Sequence, residues 1–376
     1  MRNTVLNKIV GSFTLFLLFM LAATHANAAS PTLLQAKQEA EAKGYIFFTT
    51  HDEIVAMAKK EGKLRVITGL GPPNYKPWIN AFKQKYPFIT DVRVEEIRGQ
   101  DALQKLVLEV KVGQAKEWDI YFIPPDWALQ LRPYLKKHDI LGMANHGVLK
   151  IHSGMIHSTE KNLLSVTSSL YGIAYNRKLI SEDKVPAKWE DFLKPEFKGR
   201  KFALQVRPVA VAGLVPAWGL ERTLDFARKI AAQQPVWGRG ASTIQTAVAA
   251  GEYSLYLGSS FDSGKRIMSK DLTGNYIHKT IEPVPTRIID DAGGILNTAD
   301  HPHAALLWLE FLASPEGQEI IDKYEPLKAS VFTPGSEVAQ EVRGKKLSAL
   351  DWDHSAKYEE YLSKIFEAYG FPKADK

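Results

Sequence analysis

"SSLYGIAYN", residues 168–176, is the stretch on which the reading of the fold turns, because a strand–helix alternation runs up to it and starts again after it. Before it, "KLRVITGLGPPN" (63–74) is a short apolar strand running into a Gly/Pro loop. "YKPWINAFKQKYP" then places Trp78, Phe82 and Tyr86 four apart, on one face of a helix. "VRVEEI" alternates as a strand and leads into a helix striped by Leu103, Leu106 and Val110. "WDIYFIPPDW" is a third strand, stopped by Pro124 and Pro125. After Asn176 the pattern restarts: a strand in "RKFALQV", helices over 209–218, 221–233 and 243–250, and a strand over 252–258. It restarts once more at Gly293, where Ala304 to Leu312 is apolar nearly all round and reads as a helix buried between layers. Ser314-Pro315-Glu316 follows, with the cap, the proline and the acid of a fresh helix start. Strands alternating with helices make βαβ units, so the expected class is α/β, with mixed, mostly parallel sheets covered on both faces.

The 376 residues allow about two domains, each able to bury its own core. The first 28 read as a secretory signal: Arg2 and Lys8 precede an apolar run from Phe13 to Ala23, and Ala26-Asn27-Ala28 supplies small residues for cleavage near Ala28. Without Arg2 and Lys8 the formal charge falls from +6 to +4, too small and scattered a balance for nucleic acid. There is no cysteine, which removes disulfides, thiolate metal sites, cysteine nucleophiles and a lipid-bearing cysteine. The expected compartment is a Gram-negative periplasm, and the expected state is a monomer. Residues 31–62 read as a helical extension in two pieces, each stopping at a glycine.

Enzyme signatures are scarce. There is no G-x-S-x-G elbow and no H-E-x-x-H, and Gly69-Leu70-Gly71-Pro72-Pro73-Asn74 lacks both the third glycine of a dinucleotide fingerprint and the lysine of a P-loop. Asp290-Asp291 reads as a turn, with a carboxylate pair as the competing reading. His138, His146, His152 and His157 are not spaced i, i+4, and His301 and His303 flank a proline, so surface or helix-start histidines are expected and no metal or cofactor. What recurs is an arginine between a strand end and a helix start: Arg98 before Gly99, Arg207 before Pro208, and Arg239 before Gly240, where Ser242 and Gln245 match a capping box. A helix N-terminus disfavours a cation by about 0.3–1 kcal/mol and favours an anion, so an arginine placed there suits an anionic ligand between the two.

Tyr171-Gly172-Ile173-Ala174-Tyr175-Asn176, then Pro186, Trp189-Glu190-Asp191-Phe192, Pro195 and Lys198-Gly199, resembles the crossover segment of bacterial periplasmic solute-binding proteins of the ferric-iron type, the receptors of ABC importers. "IVAMAKKEGKLRVITG" (54–69), "AVAAGEYSL" (247–255) and "HPHAALLWLEFLASPEGQEII" (301–321) resemble further pieces in that family's order. The resemblance implies a two-lobed clamshell of type II topology with hinge crossovers, closing on one ligand and delivering it to a membrane permease. Lobe 1 would comprise 63–168 and 283–325, and lobe 2 would comprise 169–282 and 326–376, behind the extension at 29–62.

In ferric-binding relatives, the strand after "GEY" runs into adjacent tyrosines that coordinate iron; here Ser259-Ser260-Phe261-Asp262 stands there. Serine hydroxyls do not supply the anionic oxygens that a hard Fe³⁺ requires, and Tyr253 and Tyr256 alternate faces. The expected ligand is therefore a small organic anion: a carboxylate, phosphonate or sugar phosphate. Ferric iron or an iron chelate, and an exported hydrolase using Asp290 or Asp291, are the alternatives. The candidate ligand-binding residues are Gly71, Asn74, Arg98, Asp126, Trp127, Tyr171, Arg207, Arg239, Ser242, Ser259, Ser260 and Asp262. Asp262 either pairs with an arginine or selects a ligand that also carries an amino group.

Overall fold

A computed structural model describes residues 30–324 and 327–371; the signal segment read over 1–28 lies outside them. The strands are β1 (Lys63–Thr68), β2 (Asp91–Glu96), β3 (Ile120–Ile123), β4 (Ser169–Asn176), β5 (Ala203–Gln205), β6 (Val236–Gly238), β7 (Leu255–Ser260), β8 (Tyr276–Lys279), β9 (Val284–Arg287), β10 (Ala292–Ile295) and β11 (Leu347–Leu350). The helices used below are α1 (Pro31–Ala42), α2 (His51–Glu61), α3 (Tyr75–Lys85), α4 (Gln100–Lys111), α5 (Leu220–Ala232), α6 (Ala241–Ala250), α7 (Phe261–Lys270), α8 (Pro302–Ala313), α9 (Pro315–Lys323) and α10 (Tyr358–Ala368).

The strands form two sheets. The first has the order β10-β3-β1-β2, with β1 parallel to β2 and β3, and β10 antiparallel to β3. The second runs β11-β9-β4-β7-β5-β6, with β8 also on β4; β5 is parallel to β6 and β7, while β4 runs antiparallel to β7, β8 and β9. Each sheet has its own core. Trp78 and Phe82 of α3 pack under Trp308 and Phe311 of α8 in the first, and Trp189, Phe192 and Phe202 sit in the second. Helix α8 is buried from Ala304 through Ala313, as its apolar circumference requires. The Ser314 hydroxyl accepts from the Gly317 N–H and caps α9.

Strand β9 belongs to the second sheet, so the chain returns to the first sheet through 288–291, one strand later than the boundary read at 283. Sequence periodicity could not show this, because β9 is only four residues long and its sheet is chosen by pairing with β4 and β11. The tail is divided as well: Ala329 and Phe332 pack on the first core, while Tyr358, Tyr361, Leu362 and Ile365 pack on the second.

The N-terminal helices pack on the first core. Helix α2 ends at Gly62 in the left-handed conformation (φ 66°), where the lack of a Cβ carries no penalty. It is pinned to α8 at both ends. His51 Nε2 lies 2.7 Å from Glu310 Oε2, and Glu61 accepts from the backbone N–H groups of His303 and Ala304. The hydrogen bond to Glu310 raises the His51 pKa against the opposing effect of burial. Burial acts to raise the Glu310 pKa, but His51 and the Lys150 N–H bring it below the ordinary value. A raised histidine stabilises the fold fully below its unfolded value of ~6.5 and loses that contribution as pH rises through the folded value; a lowered glutamate loses its contribution as pH falls. His51→Gln should therefore cost most between about pH 5 and 6.5 and least at pH 8, by no more than about 1 kcal/mol given the exposure of the imidazole. Urea unfolding of both proteins across that range measures it, and a cost that grows towards pH 8 would contradict the assignment.

Candidate functional site

The chain crosses between the sheets at the carboxyl ends of β3 and β7, where Ala292 pairs with Ile123, Ser169 with Arg287 and Tyr171 with Ser260, and such strand ends are where an open α/β sheet carries its crevice. Three segments run side by side here: 165–168 leading into β4, 288–291 leading into β10, and 327–331. The Ser168 N–H donates to Lys328 O, the Val331 N–H to Ser168 Oγ, and the Asp291 N–H to Thr167 Oγ1 at 2.9 Å. These bonds satisfy backbone groups that would otherwise be orphaned between two sheets.

The floor of the crevice is charged. Lys328 Nζ lies 2.8 Å from Asp290 Oδ2, and Arg287 Nη1 lies 3.3 Å from Asp290 Oδ1. The Arg287 guanidinium lies over the Tyr358 ring at 5.0 Å and hydrogen-bonds the Tyr171 side chain. Asp290 is 6% exposed. Burial acts to raise its pKa, yet Lys328 and Arg287 outweigh it and hold the carboxyl well below the usual range. Asp291 has the opposite fate: burial, and then the Asp290 charge beside it, push it up to about 6. Burial works against the Lys328 ammonium, but the charges of Asp290, Asp262 and Asp291 raise its pKa nonetheless. Asp291 reaches across to the first sheet: its Oδ1 lies 3.8 Å from where a Cβ on Gly69, just after β1, would sit.

The strand-end arginines are all exposed. Arg98 follows β2 and is paired with Glu96; Arg207 follows β5, with Nη2 3.1 Å from Glu359 Oε1; Arg239 follows β6. Glu359 and Tyr358 open α10, so the C-terminal helix supplies groups to the second sheet's end of the crevice.

Residues 259–262 do not form a loop. Strand β7 runs through Ser260, and Phe261 starts α7, with Asp262 in its first turn near Lys328. The pairing of β4 with β7 jumps from Gly172↔Ser259 to Ile173↔Leu257, leaving Gly258 as the extra residue of a β-bulge at φ 104°. The bulge re-aims the strand end. Ser259 is fully buried, donating to Gln245 Oε1 at 2.9 Å, with Tyr276 Oη 3.3 Å away, while Ser260 is half-buried at the crevice end opposite Tyr171.

The capping box read over Ser242 and Gln245 is not formed. Gly240 occupies the N-cap position, Ser242 is exposed, and the Gln245 side chain is buried, accepting from Ser259 and from Tyr276 Oη at 2.6 Å. Burial outcompeted the cap, because Gln245 faces β7 rather than the helix end. Ser242 instead lines an outer groove of about 610 Å³ between α6 and α7, away from the charged floor. Asn74 is fully buried, with Nδ2 donating to Gly71 O, and Gly71 is buried too. Asp126 is exposed after β3, Trp127 is half-buried beside it, and Tyr171 is 9% exposed at the start of β4.

The structure thus brings Tyr171, Ser260 and Asp262 together with Asp290 and Asp291, sets Asp126 near Asp291, and puts Arg98, Arg207 and Arg239 on the strand ends. It leaves Ser259 and Asn74 behind the surface and Ser242 on an outer groove. Arg287, Lys328 and Tyr358 are floor residues missed from sequence. Arg287 ends a strand, but a crossing follows it, so it falls outside the pattern of an arginine between a strand end and a helix start. Nothing in the sequence marks Lys328 or Tyr358.

The tyrosines near β7 are poor phenolate donors. Burial pushes Tyr256, Tyr276 and Tyr358 well above the ordinary range and so keeps them protonated. Three of the histidines are engaged elsewhere: His138 is buried and pushed down to about 3 by that burial, His301 pairs with Asp119 and His303 with Glu61. Among the described residues no group of three or more His, Cys, Asp or Glu side chains is placed to hold a metal ion.

Residues 77–347 match the family described as bacterial extracellular solute-binding protein. No curated protein matches the chain. The fold is similar to that of iron-bound HitA from Pseudomonas aeruginosa, at 18% identity and TM-score 0.58, covering 81% of this chain and 99% of that one. It is similar to the substrate-binding protein of an ABC transporter from Agrobacterium tumefaciens, at 17% identity and TM-score 0.58, covering 82% and 95%. It also resembles a structure described as the Atu4243–GABA receptor, at 15% identity and TM-score 0.59, covering 83% and 99%. The two-lobed solute-binding fold expected from sequence is therefore shown, and at these identities the solved structures speak to fold alone.

Proposed function

The chain belongs to the bacterial extracellular solute-binding protein family, and from that premise we propose that it is the periplasmic receptor of an ABC importer, capturing a small organic anion between its two sheets and handing it to a membrane permease. One observation carries the ligand class. Arginines follow β2, β5 and β6, in both sheets, and at the crossing between them Arg287 and Lys328 both pair with Asp290, with Asp291 and Asp262 close by. Such an arrangement offers charge-assisted hydrogen bonds from both lobes, and only contacts to both lobes favour a closed state.

Mass spectrometry of small molecules released on denaturing the purified protein should identify a carboxylate, phosphonate or phosphate ester. The same compound should raise the melting temperature of stripped protein, since a ligand that binds only the native state stabilises by RT ln(1 + [L]/Kd). The pH dependence reports the sign of the ligand's charge. As pH falls through about 6, Asp291 gains a proton and its repulsion of an anion ends. Affinity for an anion should rise, and Asp291→Asn should flatten the profile; affinity that falls with pH would indicate a cationic group facing Asp291 and overturn the anion reading.

Ferric iron or an iron chelate is the second reading, favoured by the likeness to iron-bound HitA. Against it stand the serines at the end of β7 and the buried, protonated tyrosines. A visible phenolate-to-iron band on adding ferric citrate would decide for iron.

A further inference from the structure

Among the described residues, three oxygens behind the strand ends are buried without a hydrogen-bond partner: Gln205 Oε1, Tyr256 Oη and Tyr369 Oη. They come from β5, β7 and the residue that caps α10. We propose that these three oxygens share one internal water molecule, which ties the C-terminal helix to the second sheet directly beneath the Arg207 strand end.

The space is there and has the right size. A cavity of about 10 Å³ is lined by Leu204, Gln205, Arg207, Ala210, Gly258 and Tyr369. Roughly 10–15 Å³ of this kind of volume holds one water, and buried waters make about three hydrogen bonds. Tyr256 stands just behind this lining, its Oη 3.9 Å from where a Cβ on Gly258 would sit. Tyr256 is also near enough to act electrostatically on Tyr369.

The valences match. Burial keeps both phenols protonated, so each donates one hydrogen to the water's two lone pairs. The amide oxygen of Gln205 accepts one of the water's hydrogens. Three orphaned groups in one small space would each carry the desolvation cost of an unmade hydrogen bond, and a single water removes all three.

The bulge makes the site possible. Gly258 at φ 104° is the extra residue of β7, and a Cβ there would come within 3.1 Å of Ala210 Cβ, at the cavity wall. The water would sit where the tail also holds the loop after β5 by direct contacts, Tyr358 Oη donating to Val209 O at 3.0 Å and Glu359 accepting from Arg207. Its role is to position the Arg207 end of β5 against the tail, and it does not depend on which solute the crevice binds.

A crystal structure at about 1.8 Å tests the site directly. The expected result is a single ordered water within about 3.2 Å of all three oxygens. Clean absence of density there, or a direct bond between any two of the three groups, overturns the proposal. A double-mutant cycle gives the energetic counterpart with substitutions that keep the rings. Tyr256→Phe and Tyr369→Phe should each lower the melting temperature by about 2 °C, and the double variant by clearly less than the sum, because both lose the same water. Additive losses, or single variants that leave the melting temperature unchanged, would show that the phenols share no partner.

Discussion

Asp290→Ala is expected to destabilise the protein by about 3 kcal/mol at pH 7, one of the largest effects of any single substitution. The carboxylate is nearly inaccessible and satisfies two cations, Lys328 at 2.8 Å and Arg287 at 3.3 Å. Removing one partner of a buried ion pair costs roughly 3–5 kcal/mol, because the remaining charge is left without compensation. The low end applies because Asp291 is adjacent. With Asp290 gone, the repulsion that helps to push Asp291 up disappears, and the two cations favour its ionised form. Two measurements follow: urea unfolding for the stability loss, and NMR titration of the Asp291 carboxyl, which should move to lower pH in the variant. A loss below about 1 kcal/mol, or an Asp291 titration that stays near pH 6, would show that Asp290 does not organise this floor.

Gly172→Ala is expected to cost about as much, for a steric reason. A Cβ at Gly172 would lie 2.3 Å from the carbonyl oxygen of Lys279 and 3.0 Å from Thr280 Cα. These are backbone atoms, held in place by the pairing of β4 with β8, in which Ile173 faces Lys279. Overpacking in a rigid setting costs about 1–3 kcal/mol, and a contact with backbone belongs at the upper end. The control is Gly274→Ala. That glycine has φ 64° but nothing within 4 Å of its would-be Cβ, so only backbone strain of about 1 kcal/mol applies. Equal losses at the two positions, measured by thermal unfolding, would remove the steric account.

Gly172 also shows how far the sequence could be read. It lies inside "YGIAYN", a stretch that carried the family resemblance, but nothing in its neighbours along the chain explains a glycine there. The explanation is a carbonyl more than a hundred residues away. The strand-end arginines behaved differently. Their places after β2, β5 and β6 follow from local alternation and were legible, whereas the carboxylate paired with Arg207 was not. Glu359 meets Arg207 only because the tail packs back onto the second core. Ser242 and Gln245 mark the opposite failure: a local motif satisfied in sequence was overridden once Gln245 found buried partners in Ser259 and Tyr276.

What the sequence by itself determined was the alternation of strands and helices, the buried all-apolar helix α8, the cap at Ser314 and the family. Each of these rests on periodicity, on end chemistry or on contiguous motifs, and such signals are carried by near neighbours. Tertiary structure alone decided that β9 joins the second sheet, that Gly258 is a bulge, and that Arg287, Lys328, Asp290 and Asp291 form one charged floor. Residues 290 and 328 meet because segments 288–291 and 327–331 run beside 165–168, and 171, 262 and 287 join them from the ends of β4, α7 and β9. Their charges then set one another's protonation through distances that the order of residues does not contain.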